Sequence, residues 1–148
     1  MKEFSFAFLT QKSEMLAHLD VLQFLYPSLT HEQYANELDL MLPCNYSQLA
    51  VFDQDKCIAI CGVWMGNKLW IGKYLELDNI VVDPAYRSQG VGDLIFRTLE
   101  QKAIDESCNM LALDSYTSNF KAHKFFYNQG YGPKGFHFVK LLSEKAVR

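Results

Sequence analysis

Residues 78–94, DNIVVDPAYRSQGVGDL, constrain this chain most: an apolar strand runs through a proline turn into Arg87-Ser88-Gln89-Gly90-Val91-Gly92 and then into a helix. A glycine-rich turn feeding a helix N-terminus aims unpaired backbone N–H groups and the positive end of the helix dipole at one point, which suits a pyrophosphate. Gly90 and Gly92 let phosphate oxygens approach the main chain, and Arg87 adds a charge that does not titrate away. Ser88, Gln89, Val91 and Asp93 complete the candidate cradle. Competing nucleotide motifs fit less well: there is no Gly-Lys-Ser/Thr of a P-loop, and the turn lacks the Gly-x-Gly-x-x-Gly of a dinucleotide fingerprint. A plain glycine turn is the simpler reading of these six residues on their own.

At 148 residues the chain is long enough to bury one substantial core and short for two, so a single domain over residues 1–148 is expected. A net charge of −3 argues against a nucleic-acid groove or an anionic membrane surface as the main partner. The first ten residues carry a Lys, a Glu and alternating Phe and lack the apolar run of a signal peptide, and no stretch is long enough to span a bilayer. Cys44, Cys57, Cys61 and Cys108 have no Cys-x-x-Cys spacing, which points to reduced thiols, a cytoplasmic location and no metal.

Phe4, Phe6 and Phe8 mark a first strand. Leu16, Leu19, Leu22 and the residues to Tyr26 predict one amphipathic helix from about Ser13 to Pro27, and Thr30 with Gln33 is a capping-box signature for a second. Residues 48–52 and 57–65 read as a hairpin about the turn 53–56, with a further turn at 66–68 and a long strand over 74–82. A helix from Val91 to about Ser107, a buried strand at 110–115, a helix over 119–129 closed by Gly130, and a last strand over 136–142 complete the pattern.

The Arg-x-x-Gly-x-Gly turn after a strand ending in Val-x-Pro resembles the acetyl-CoA signature of the GCN5-related N-acetyltransferase (GNAT) superfamily. A second stretch, residues 118–131, resembles the superfamily's Asn-x-x-Ala-x-x-Phe-Tyr-x-x-x-Gly-Phe hallmark. The two sit in the expected order and spacing, so the likeness covers roughly residues 75–131, while the N-terminal part matches only in the order of its elements. It implies an α+β fold with a mixed, largely antiparallel sheet of six to seven strands flanked by about four helices. It also implies an enzyme that moves acetyl from acetyl-CoA, as co-substrate, directly to a primary amine of a small molecule. A peptide or protein amine acceptor and a non-catalytic acyl-CoA-binding module are the alternatives, and the resemblance is compatible with a homodimer.

The resemblance also assigns roles. Main-chain groups of Ile80, Val81 and Val82 would hold the pantetheine and face the acetyl carbonyl, because the superfamily's strand bulges here. Asn119 would cap its helix and contact the pantetheine arm. One departure matters: counting back four from Gly130 reaches Phe126, where the family often has a tyrosine that protonates the leaving thiolate. Tyr127 is adjacent, yet successive helix positions point about 100° apart, so Phe126 is left to pack against the cofactor and either Tyr127 or water supplies the proton. Glu76 and Asp78, spaced by two on one strand, are expected to share a face with Ile80 and Val82. Glu76 falls where related histone acetyltransferases place a general base; base and ammonium anchor are both open for it, and solvent-facing strand residues are the plain alternative. Tyr26, Tyr34 and Trp70 are further candidates to line an amine-binding region.

Overall fold

The computed structural model of the protein describes residues 2–146 and 148. By their contacts these fall into two compact units, one ending at Ala112 and one starting at Leu113. The strands β1 (Ser5–Leu9), β2 (Tyr46–Asp53), β3 (Lys56–Lys68), β4 (Gly72–Val82) and β5 (Met110–Leu113) form one sheet in that spatial order. β1 to β4 pair antiparallel. Three helices, α1 (Lys12–Leu16), α2 (Leu19–Leu22) and α3 (His31–Met41), lie between β1 and β2 in sequence, and α4 (Val91–Asp105) lies between β4 and β5. The second unit contains α5 (Phe120–Asn128) and a 3₁₀ turn at Glu144–Ala146.

Period-two alternation gives the sheet two apolar faces. On one, Tyr46, Ala50, Ile60 and Val81 form a continuous core with Met15, Val21, Leu22, Leu29, Tyr34 and Leu38 of the helical region. The opposite face takes Leu49, Val51, Cys61 and Val63, all fully buried, and is open to the stripe of α4 formed by Val91, Ile95, Phe96, Leu99 and Ala103. With both faces covered, β3 reads as a run of buried residues from Cys57 to Val63. Each large side chain so buried contributes about 1.5–3 kcal/mol.

Capping set several boundaries where the sequence placed them. Thr30 accepts from the Gln33 N–H at 3.2 Å while the Gln33 side chain accepts from the Thr30 N–H at 3.0 Å, so two orphan donors of α3 are satisfied reciprocally. Asn119 accepts from the Ala122 N–H at the start of α5, and Gly130 takes φ +89° just beyond its end.

Four expectations need correction. The single helix toward Pro27 is two short ones, because His18 leaves helical geometry (φ −117°, ψ 26°) as its ring packs edge-on against Phe52 at 5.5 Å. The described residues therefore hold five helices where about four were expected. The turn expected at 66–68 is strand: Gly66 pairs with Tyr74, whose hydroxyl would lie 2.7 Å from an added Cβ, and the chain reverses at 69–71. Among the described residues the sheet has five strands, not six or seven. Residues 136–142 alternate as a strand should, yet they join no ladder, and Phe136 and Phe138 are 84% and 91% exposed. Alternation alone does not make a strand, because extended backbone needs a partner for its N–H and C=O groups.

Leu38 is fully buried on α3 and Leu40, two positions on, is 72% exposed. Leu38→Ala is expected to lower unfolding free energy by about 2–5 kcal/mol in urea titration, and Leu40→Ala to stay within about 0.5 kcal/mol.

Candidate active site

The turn after β4 is held from three sides. The Asp83 N–H donates to the Ile58 carbonyl at 2.8 Å, which keeps β4 in register with β3 to its last residue. The Asp83 carboxylate accepts from the Ala85 N–H at 2.9 Å and pairs with Lys56 at 3.1 Å, fixing the 3₁₀ turn Pro84–Tyr86. Tyr86 donates its hydroxyl to Asp53 at 2.8 Å, Lys2 pairs with Asp53 at 2.7 Å, and the Lys2 and Lys56 ammonium groups sit over the Tyr86 ring. The ammonium of Lys2 and the Tyr86 hydroxyl hold the Asp53 carboxyl below the usual carboxylate range. The Ala85 N–H and Lys56 do the same for Asp83.

Beyond that turn the chain takes left-handed geometry twice, at Ser88 (φ +60°) and Gly90 (φ +82°). α4 starts immediately after, with no side chain capping it, and its first internal bond runs from the Leu94 N–H to the Gly90 carbonyl. The N–H groups of Val91 and Gly92 thus open outward at the positive end of a 15-residue helix. Arg87, Ser88, Gln89 and Gly90 are exposed, an added Cβ on Gly90 would meet nothing within 4 Å, and Gln89 is tied back to the Ala85 carbonyl at 3.1 Å. An uncapped helix end, two left-handed residues and an exposed guanidinium fit a pyrophosphate.

Upstream, β4 carries a bulge. Gly62 pairs with Asp78 and Ile60 with Val81, so one residue of β3, Cys61, faces two of β4, Asn79 and Ile80. Asn79 adopts φ +51°. The alternation expected to bring Ile80 and Val82 onto the face of Glu76 and Asp78 is broken here. The extra residue inverts the pattern, and Val81, which is buried, shares that face instead. Because the Asp83 N–H points at β3, antiparallel alternation turns the Val82 N–H away from β3.

Glu76 is half-buried opposite Trp64, and Asp78 is exposed. Both oxygens of Asp78 are engaged: one accepts from the Trp64 indole at 3.0 Å, the other from the Asn79 N–H at 2.9 Å. Tyr46, missed in the sequence, packs its ring at a tilt against Trp64, centroids 4.7 Å apart, and reaches Asn79 with its hydroxyl. Burial drives the Tyr46 hydroxyl far above the usual tyrosine range and pushes Tyr34 up to about 12, so both stay protonated. Tyr34 belongs to the core, Trp70 is exposed at the 69–71 reversal, and Tyr26 bonds to Asn79. Cys61, opposite the bulge, is pushed up to about 12 by burial, which leaves it an inert thiol. A cavity of about 490 Å³ lined by Asn45, Ser47, Met65, Lys73, Lys102 and Glu106 lies at the C-terminal end of α4, about 20 Å from the cradle, and shares neither carboxylate.

Asn119, Phe126 and Tyr127 belong to the second unit. α5 is regular through 120–128, so no local irregularity turns Tyr127 onto the face of Phe126. Phe126 is half-buried and packs near Phe125 at 6.0 Å, whereas Tyr127 is 59% exposed.

Comparison with known proteins places this architecture. Residues 13–131 match the Acetyltransferase (GNAT) family, and the chain belongs to that family. It is 26% identical over 107 residues to the Bacillus subtilis protein named putative [ribosomal protein bS18]-alanine N-acetyltransferase, covering 72% of this chain and 66% of that protein. It is 33% identical over 61 residues to bovine thialysine N-epsilon-acetyltransferase, covering 40% and 36%. The chain thus spans about a third to two thirds of the length of these relatives. The solved structure of aminoglycoside N-acetyltransferase AAC(6')-Iy in complex with CoA superposes with a TM-score of 0.79 at 14% identity, over 95% of this chain and 96% of that one, which shows a common fold.

Two outcomes are expected. The depressed carboxyls of Asp53 and Asp83 contribute stability that is complete above the ordinary carboxylate pKa and lost as pH falls through their lower folded values. The urea midpoint should therefore hold from pH 7 to 5 and fall below about pH 4, and Asp53→Asn with Asp83→Asn should flatten that fall. Gly90→Val should cost about 1–2 kcal/mol through its positive φ, and Gly90→Asn clearly less, because asparagine tolerates that region.

Proposed function

We propose that this chain is an N-acetyltransferase that moves acetyl from acetyl-CoA directly to a primary amine of a small molecule. The observation that carries the reading is the succession on one strand of an acidic face at Glu76 and Asp78, a bulge at Asn79 and an uncapped, glycine-opened helix at Gly90. Acyl transfer from a thioester needs three such features: a carboxylate for the ammonium, fixed donors for a developing oxyanion, and an anion cradle for the pyrophosphate.

In this reading Arg87 and the main chain of residues 88–93 bind the pyrophosphate, and the backbone of residues 80–82 orients the thioester. Glu76 takes the proton of the incoming ammonium, directly or through one water, so that a neutral amine attacks. Asp78, already accepting two hydrogen bonds, is better suited to attract the ammonium than to remove its proton. Main-chain N–H groups beyond the bulge receive the charge developing on the carbonyl oxygen; being fixed in advance, they need no reorganisation. For the second unit, taken by itself, the family resemblance gives Asn119 the role of pantetheine contact, Phe126 that of a packing residue and Tyr127, or water, that of thiolate acid.

The match to the Bacillus subtilis protein favours a second reading, a peptide or protein amine as acceptor. CoA release from acetyl-CoA, measured against polyamines, amino sugars, amino acids and short peptides, separates the two. Release with small amines supports the first reading, release with peptides only supports the second, and CoA binding without release from any of them points to a non-catalytic module. In an active protein, Glu76→Gln is expected to lower kcat about 10²–10³-fold with CoA affinity unchanged, and Tyr127→Phe by tenfold or more only if that tyrosine is the acid.

A further inference from the structure

Five polar side chains on the helix-covered face of the sheet are linked in one chain that no step above uses. Gln48, wholly buried in mid-β2, donates its amide to the Tyr34 hydroxyl at 2.8 Å and to the Tyr46 hydroxyl at 3.0 Å. Tyr46 thus accepts from Gln48 and gives its own proton to the Asn79 side-chain oxygen at 3.2 Å. The Asn79 amide donates onward to the Tyr26 hydroxyl at 2.9 Å. Donors and acceptors run in one sense, from the centre of β2 through the bulge to the segment beyond α2.

Asn79 is the residue on which these links converge, and it is also the left-handed residue of the bulge. Its N–H is held by Asp78, its side-chain oxygen by Tyr46 and its amide by Tyr26. Gly62 makes room: a Cβ there would stand 2.7 Å from the Asn79 oxygen and 2.8 Å from the Tyr46 hydroxyl. Among the described residues the Gln48 side-chain oxygen has no partner, while its amide is satisfied by the two tyrosine hydroxyls.

We propose that Tyr46 and Asn79, backed by Gln48 and Tyr26, are positioning residues: they lock the bulge of β4 and thereby set the aim of the main chain of residues 80–82 and of the Glu76 and Asp78 face. The proposal rests on the acetyltransferase reading. Asn79 touches no reacting atom in this scheme; it acts by fixing a backbone that does. A misplacement of about 1 Å in such a backbone is enough to cost up to about 100-fold in rate.

The test is steady-state kinetics of CoA release with calorimetric CoA binding and thermal melting alongside, on wild type, Asn79→Gly, Tyr46→Phe, the double variant and Gln48→Met. Glycine keeps the positive φ without strain, so Asn79→Gly removes the side-chain ties alone. The expected result is a fall in kcat of about tenfold or more for Asn79→Gly and Tyr46→Phe, with CoA affinity within about twofold and melting little changed. The double variant should be no slower than the worse single one, because both cut the same link. Gln48→Met, which takes that donor from the buried Tyr34 and Tyr46 hydroxyls, should melt lower than wild type and lose kcat by more than its melting shift accounts for. Wild-type kcat in Asn79→Gly overturns the proposal and leaves the acetyltransferase reading standing, as do losses of kcat that track melting temperature. A wild type that binds CoA yet turns over no amine overturns both.

Discussion

One step of lost register organises this sheet: β4 uses Asn79 and Ile80 where β3 uses Cys61 alone. Before that step the outward positions of β4 toward the helical face are Glu76 and Asp78; after it the same face is taken by Val81, and Ile80 and Val82 turn the other way. A strand without the bulge would have put Ile80 and Val82 on the face of Glu76 and Asp78 and presented no change of aim. With it, one continuous strand meets three demands: carboxylates near its middle, re-aimed backbone beyond, and a turn into a helix N-terminus at its end. The strain is local, a single non-glycine residue at φ +51°, and neighbouring side chains hold it in place.

Rigidity downstream of the bulge comes from a different source. The cradle is exposed and glycine-opened, which favours approach of an anion but does little to fix the turn. That role falls to the cluster of Lys2, Asp53, Lys56, Asp83 and Tyr86, which ties the β2–β3 turn to the segment before Arg87. Exposed ion pairs contribute little stability singly. Here they share an aromatic ring and a backbone N–H, and the consequence is placement of the turn.

What could be read from the sequence was local. The glycine turn, the Thr30–Gln33 capping box, the Asn119 cap and the Gly130 terminus all rest on residues a few positions apart, and each has a signature in side-chain chemistry. The bulge left a fainter one, an asparagine between Asp78 and the apolar residues 80–82, and asparagine is enriched at positive φ. What supports Asn79 comes from 33 and 53 residues away in Tyr46 and Tyr26, and no periodicity in one chain encodes such pairings. The break at His18 has the same origin, a ring contact with Phe52 that overrides helix propensity. Residues 136–142 make the converse point: an apolar alternation that reads as strand stays unpaired.

The central claim is that a single stretch, bulge to helix, is built to hold the pyrophosphate and thioester ends of acetyl-CoA. Backbone amide NMR during titration with CoA tests it most directly. Concerted shifts at Ser88, Gly90, Val91 and Gly92, joined by Ile80 or Val82 when acetyl-CoA replaces CoA, are the expected result. Saturable binding that leaves those amides unmoved and perturbs residues elsewhere would contradict the assignment.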